Sequence, residues 1–229
     1  MGQMRLNNGS EFQLLRYLGH HRSYIDNEIK KVIGSNKEIK WMDYPLSQTT
    51  HKDFEWTGVQ CFENLQNFKD IEEKWKEYWP QTGRKQSWDG IFKQEDIWYF
   101  VEAKAHIDEE NSATKAKSSS SILKQIKAFE ETCGNKEVAK KWQQSSHFQI
   151  ANRLAFIHFC ETFQIEARVL LIGFINGWPD DQKNNVDNKD KWENYWDYVE
   201  KELNLQDNLK NKIYHLTIDC NKALDKPNI

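Results

Sequence analysis

The sequence predicts an α/β (α+β) fold, a mixed central sheet flanked by helices, with a helix and a strand added at the C-terminal end. Three observations carry that expectation. ARVLLIGFI (167–175) is continuously apolar, as a strand covered on both faces must be. Residues 86–105 read as two strand-like runs around the polar turn KQED, a hairpin. Apolar residues at helical spacing flank these strands, so the order is helix, strand, hairpin, helices, strand, helix, strand.

From about Glu11 to Ile33, Leu14, Leu15, Leu18, Ile25, Ile29, Val32 and Ile33 keep helical spacing, with an interruption near Gly19 and a stop at Gly34. EIKWMDYPL (38–46) predicts a strand that stops at Pro45, and residues 47–60 predict a loop. Phe68, Ile71, Trp75, Tyr78 and Trp79 mark a helix within about 62–79, broken by PQTG. The hairpin strands follow, at about 86–93 and 97–105. HIDEENSATKAKSSSS is a polar loop that caps the next helix, in which Ile122, Ile126, Phe129 and Cys133 share a face before Gly134. A longer helix is expected from about Glu137 to Phe163. After the 167–175 strand comes a long polar loop (178–191), then a helix with Trp192, Tyr195, Trp196, Val199 and Leu203 on one side. A last strand spans 212–220.

The 10 Trp, 12 Phe and 8 Tyr among 229 residues exclude a disordered chain and suit one domain with its own core. The formal net charge of −3 weighs against a surface that binds nucleic acid everywhere, yet permits a local basic groove. Cys61, Cys133, Cys160 and Cys220 lie far apart with no CxxC, the pattern of reduced core thiols. MGQMRLNNGSEF has no apolar signal core, and Leu6 breaks the myristoylation pattern. No apolar run reaches the ~20 residues of a membrane span, so a cytoplasmic protein without a membrane partner is expected.

The hairpin carries the chemistry. Glu102 and Lys104 interrupt an otherwise apolar strand, and charged side chains rarely enter such a run unpartnered. Side chains alternate along a strand, so these two share one face and Val101, Ala103 and Ala105 the other. If the turn centres on Glu95-Asp96, Asp89 falls opposite Glu102; a slip of one residue turns Asp89 away. Two carboxylates so close repel unless a cation lies between them, and oxygen ligands suit Mg²⁺ (or Mn²⁺). A lysine alongside orients an attacking water or stabilises charge on phosphorus.

Asp89, twelve residues, then Glu102-Ala103-Lys104 on a hydrophobic strand resembles the PD-(D/E)XK nuclease superfamily, the restriction-endonuclease-like fold. WPQTGRKQSWDG, VEAKAH, FQIANRLAFIHF and ARVLLIGF together resemble a group of bacterial members of that superfamily. Trp88 stands where the named motif has Pro. The resemblance implies a single nuclease-like domain over 1–229, with a core of about 22–175 and a C-terminal elaboration at 176–229. It implies a divalent-metal-dependent nuclease hydrolysing phosphodiesters, in DNA more than RNA. Asp89 and Glu102 would be metal ligands, the Ala103 backbone carbonyl would complete the shell, and Lys104 would be the catalytic lysine. An extra acid from a helix is implied as well: Glu28 in YIDNEIKKVIG, with Glu72 or Glu73 as rivals. Lys124 and Gln125, on the helix after the motif strand, and His106, on the Glu102 face, are further cleft candidates. The alternative is a nuclease-fold module that binds nucleic acid or a protein without cutting. Neither reading fixes an oligomeric state.

Blander readings cover the remaining features. His147, His158 and Cys160 lack metal-ligand partners at a suitable spacing and read as packing. Lys115, Lys117, Lys124 and Lys127 fit a solvated face better than a phosphate track. The Trp-rich helix fits core packing better than base stacking.

Overall fold

The computed structural model describes residues 9–45, 54–82, 85–109, 116, 118–178 and 185–221. It opens with two helices, α1 (Ser10–His20) and α2 (Arg22–Ile33), separated at His21 and closed at Gly34, whose φ of 73° is the left-handed conformation glycine adopts without cost. β1 keeps only Lys40–Trp41 of the strand expected over 38–46. One more ladder bond, Met42 N–H to the Ile91 carbonyl, follows before the chain leaves the sheet toward Pro45, which has no N–H to offer a ladder.

A strand not foreseen, β2 (Trp56–Thr57), comes next. A 3₁₀ turn at Gln60–Phe62 buries Cys61 and Phe62, and α3 (Phe68–Tyr78) starts later than expected. The hairpin is β3 (Ser87–Trp88), β4 (Gly90–Gln94) and β5 (Ile97–Lys104). α4 (Ser119–Cys133) is capped by Ser118, whose hydroxyl accepts the Ser121 N–H at 3.2 Å. Most of the Ser-rich loop before it, with Lys115 and Lys117, lies outside the described residues.

The single helix expected from Glu137 to Phe163 is two, α5 (Lys136–Gln144) and α6 (Phe148–Thr162). Ser145 is extended and its hydroxyl accepts the His147 N–H at 2.9 Å, a local bond that competes with the helical ladder. Then follow β6 (Ala167–Ile175), α7 (Lys189–Glu202), a one-turn α8 (Asp207–Lys210) and β7 (Ile213–Asp219).

Five strands form one mixed sheet in the order β1-β4-β5-β6-β7. β4 runs antiparallel to its neighbours β1 and β5; β5, β6 and β7 are parallel. The C-terminal addition thus extends the sheet rather than standing apart. β2 and β3 pair separately. On one face, α1 and α2 bury Leu14, Tyr17, Ile25 and Ile29 against Tyr99, Val101, Ala103, Leu170 and Ile172. On the other, α3 to α7 bring Trp75, Phe129, Trp142, Phe156 and Trp192 against Trp98, Phe100, Val169 and Leu171. Each large apolar side chain so buried contributes roughly 1.5–3 kcal/mol. Gly173 leaves room for the Trp192 indole: a Cβ there would lie 2.5 Å from the ring.

Trp192, Tyr195, Trp196 and Val199 of α7 are buried, as core packing requires. His147 is buried 3.2 Å from the Tyr195 hydroxyl, and all four cysteines are free and buried. Among the described residues no helix is long and apolar enough to cross a membrane.

Candidate active site

The turn at Glu95-Asp96 sets the hairpin register, with Glu95 taking a φ of 55°. Gly90 pairs with Val101, Ile91 with Phe100 and Phe92 with Tyr99, so Asp89 reaches the level of Glu102. There the ladder kinks. The Asp89 N–H also bonds to the Val101 carbonyl at 3.1 Å, two residues facing one, and the chain turns off as β3 to pair with β2. The kink lets the Asp89 side chain reach across the vacated edge of β5. Its Oδ2 accepts the Ala103 N–H at 2.7 Å. The N–H and C=O of one residue in a strand point to the same edge, so the Ala103 carbonyl faces this gap too.

Glu102 and Lys104 lie on the opposite face of β5 from Val101 and Ala103, toward α6. Glu102 is 2% exposed, and both its oxygens are taken. Oε1 accepts from Lys104 Nζ and Gln149 Nε2; Oε2 accepts from Arg153 Nε at 2.9 Å and from Arg153 Nη2. The Arg153 guanidinium in turn sits 4.3 Å from the centre of the Trp88 ring. One arginine therefore clamps the residue before Asp89 to the carboxylate of Glu102.

The two acids differ in electrostatics. Burial opposes charge on Glu102, but Arg153 and then Lys104 outweigh it and hold the carboxyl below the usual range. Asp89 goes the other way. Desolvation, then the charge of Glu102, pushes it well above that range, with Glu55 adding to the push; Lys104 and the Ala103 N–H only partly offset this. Tyr44 donates its hydroxyl to the Asp89 carbonyl, and burial and the Asp89 charge push its own pKa up, which keeps it neutral.

The other candidates are dispersed. Glu28 pairs with Lys31 at 2.6 Å and borders a groove with His215 and Asp219, beside the outer strand β7 rather than the hairpin. Glu72 pairs with Lys76 on α3, and Glu73 is exposed there. Lys124 donates to the Lys76 carbonyl at 3.0 Å, and Gln125 is buried against Gln143 of α5. His106 follows the end of β5, bridged to Asn185, with its ring 5.3 Å from that of Trp178.

Three contributors were not foreseen. Gln149 and Arg153 stand one helical turn apart in FQIANR, a polar pair on a buried helix that was a readable signal. Glu55 is buried at 6% exposure just before β2, in a segment whose polarity reads as loop.

Among the described residues, no three His, Cys, Asp or Glu side chains converge as a ready-made metal cage. Mg²⁺ does not demand one, since it keeps several waters and takes one or two carboxylates. The chain offers oxygen donors at one gap, the Asp89 carboxylate and the Ala103 carbonyl, with the fully bonded Glu102 beside them. Burial first, and then the charge of Glu102, disfavours the Asp89 carboxylate, and a cation beside it would offset both. This donor set fits a hard divalent ion. Comparison with protein-family models, with curated proteins and with solved structures found no match.

Proposed function

We propose that the protein is a divalent-metal-dependent nuclease, of the restriction-endonuclease-like kind, that hydrolyses phosphodiester bonds, in DNA more than RNA. One observation carries this: the kinked hairpin sets Asp89 on the Ala103 N–H, beside the buried Glu102 and Lys104. In this reading Asp89 and the Ala103 carbonyl hold Mg²⁺ or Mn²⁺, and Glu102, its oxygens bonded to Lys104, Gln149 and Arg153, fixes the cluster beside them. When bound, that ion supplies positive charge that favours ionisation of a water and offsets charge developing on the phosphate.

The chain's own groups do the rest. Lys104, its side chain 10% exposed, is the more exposed of the cluster's two cationic groups, so it orients the attacking water and the phosphate. Arg153, buried at 4% exposure, does not reach substrate and instead fixes Glu102. Gln149 fixes the same carboxylate from one turn earlier. The four reduced, buried cysteines suit a cytoplasmic location for this activity.

A second reading has its own support. Every Glu102 oxygen is already bonded to Lys104, Gln149 or Arg153, which suits a module that binds nucleic acid or a protein without cutting it. Incubation with single- and double-stranded DNA and RNA, with Mg²⁺ or Mn²⁺ and with EDTA, separates the two. Metal-dependent cleavage supports the nuclease; intact substrates under all conditions favour the module.

A further inference from the structure

Building on the nuclease reading, we propose that Glu55 is a ligand of the same divalent cation, shared with Asp89 across the small β2–β3 ladder. The register places it there. Trp56 pairs with Trp88 and Thr57 with Ser87, and the Gly58 N–H bonds to the Gln86 carbonyl at 2.8 Å. One step further along the same antiparallel pairing, Glu55 stands opposite Asp89. Directly opposed residues in such a ladder have Cβ atoms about 4.5–5.5 Å apart. Asp89 thus has a carboxylate on either side, Glu102 by way of β5 and Glu55 by way of β2.

The state of the Glu55 side chain points to a ligand. It is 6% exposed, and its Oε2 is buried with no hydrogen-bond partner. No ion pair of Glu55 occurs among the described residues. A buried carboxylate oxygen without donor or cation is costly, and such groups in native proteins are paired or coordinate metals. Glu102 presents the opposite case, with both oxygens occupied by side-chain donors. The carboxylate oxygens open to a cation are therefore Asp89 Oδ1 and Glu55 Oε2, with the Ala103 carbonyl at the same gap. Two carboxylates, a carbonyl and waters meet the demand of Mg²⁺ for octahedral oxygen donors. Glu102 then acts one step back, tying Lys104 and α6 to the centre. The acid assigned by resemblance to Glu28 on the second helix would instead come from β2.

The test uses the full chain and a readout other than cleavage. Tb³⁺ is a hard, oxygen-seeking ion whose emission is excited through nearby tryptophan, and Trp56 and Trp88 flank the site. Titration with Tb³⁺, followed by Mg²⁺ competition, should show at least about tenfold weaker binding in Glu55→Gln than in wild type. In EDTA the same variant should melt at a higher temperature than wild type, because the amide removes a charge facing Asp89. Glu55→Asp keeps the charge but draws the carboxylate back by one methylene; it should also bind more weakly, which covers a failure of Glu55→Gln to fold. Wild-type affinity in either variant overturns the assignment, as does a wild type with no saturable site for Tb³⁺ or Mg²⁺. A wild type that binds through Glu55 but cuts no nucleic acid removes the nuclease reading and leaves the ligand assigned.

Discussion

Asp89 Oδ2 accepts the Ala103 backbone N–H at 2.7 Å, spanning the gap where β3 has turned away from β5. That bond fixes an acid whose charge the surroundings disfavour. The electrostatics of Asp89 and Glu102 therefore point in opposite directions, and substitutions at the two should have opposite signs.

Asp89→Asn keeps an oxygen for the Ala103 N–H and removes the charge that desolvation and Glu102 oppose. Without divalent cations the variant should be more stable than wild type. The expected gain is about 2–4 °C in melting temperature for each kcal/mol relieved in a chain of this size. Scanning calorimetry in EDTA checks this, and a lower melting temperature would contradict it.

The same shift gives a pH dependence. A carboxyl raised in the folded state contributes stability that is fully present below its unfolded pKa, near 3.9, and is lost as pH rises through the folded value. Wild type should therefore lose stability relative to Asp89→Asn as pH climbs from about 4. Because the proton must leave before a cation binds, divalent-ion affinity should rise over the same range. Urea midpoints and Mn²⁺ titrations at stepped pH values report both effects.

Arg153→Met leaves the buried Glu102 without its two guanidinium bonds and should cost about 3–5 kcal/mol. Arg153→Lys keeps the charge but loses the fork and the full guanidinium face over Trp88, so it should fall between the two. Glu102 is held low in the folded state, so its contribution is present above its unfolded pKa and lost as pH falls through the folded one. Denaturant unfolding at neutral and acid pH measures these differences.

Lys104→Met removes the solvent-reaching cation and keeps much of the apolar stem. Cleavage should drop by about 10²-fold or more, chiefly in kcat, while substrate binding measured with Ca²⁺ in place of Mg²⁺ changes little. A matching loss in binding alone would assign Lys104 to substrate capture.

Gly173→Ala tests the scaffold apart from the site. Its Cβ would press on the Trp192 indole, costing about 1–3 kcal/mol through overpacking of β6 against α7. Unfolding followed by tryptophan fluorescence is the measurement.

Much of this arrangement was legible in the residues. The KQED turn fixed the hairpin register, and alternation placed Glu102 and Lys104 on one face, because a side-chain period of two leaves little freedom once a turn is known. Gly34 and Gly134 marked helix ends through their left-handed backbone. What escaped depended on distant contacts. Arg153 meets Glu102 only through the packing of α6 on the sheet, fifty-one residues away. Glu55 looks like loop in the chain because β2 is two residues long and gains its place only by pairing with β3. Glu28 shows the converse: the right residue type on an early helix, but turned toward β7. The split between α5 and α6 came from a serine side chain competing with the backbone, which periodicity does not register.

The proposed function has the Asp89, Glu102 and Lys104 cluster cut phosphodiesters with a divalent cation. Its most direct test is cleavage of DNA by wild type, Asp89→Asn and Lys104→Met, side by side in Mg²⁺ and in EDTA, with circular dichroism as a control for folding. Wild type should cleave in a Mg²⁺-dependent way, and both folded variants should lose that cleavage. Cleavage that persists in either variant would contradict that function.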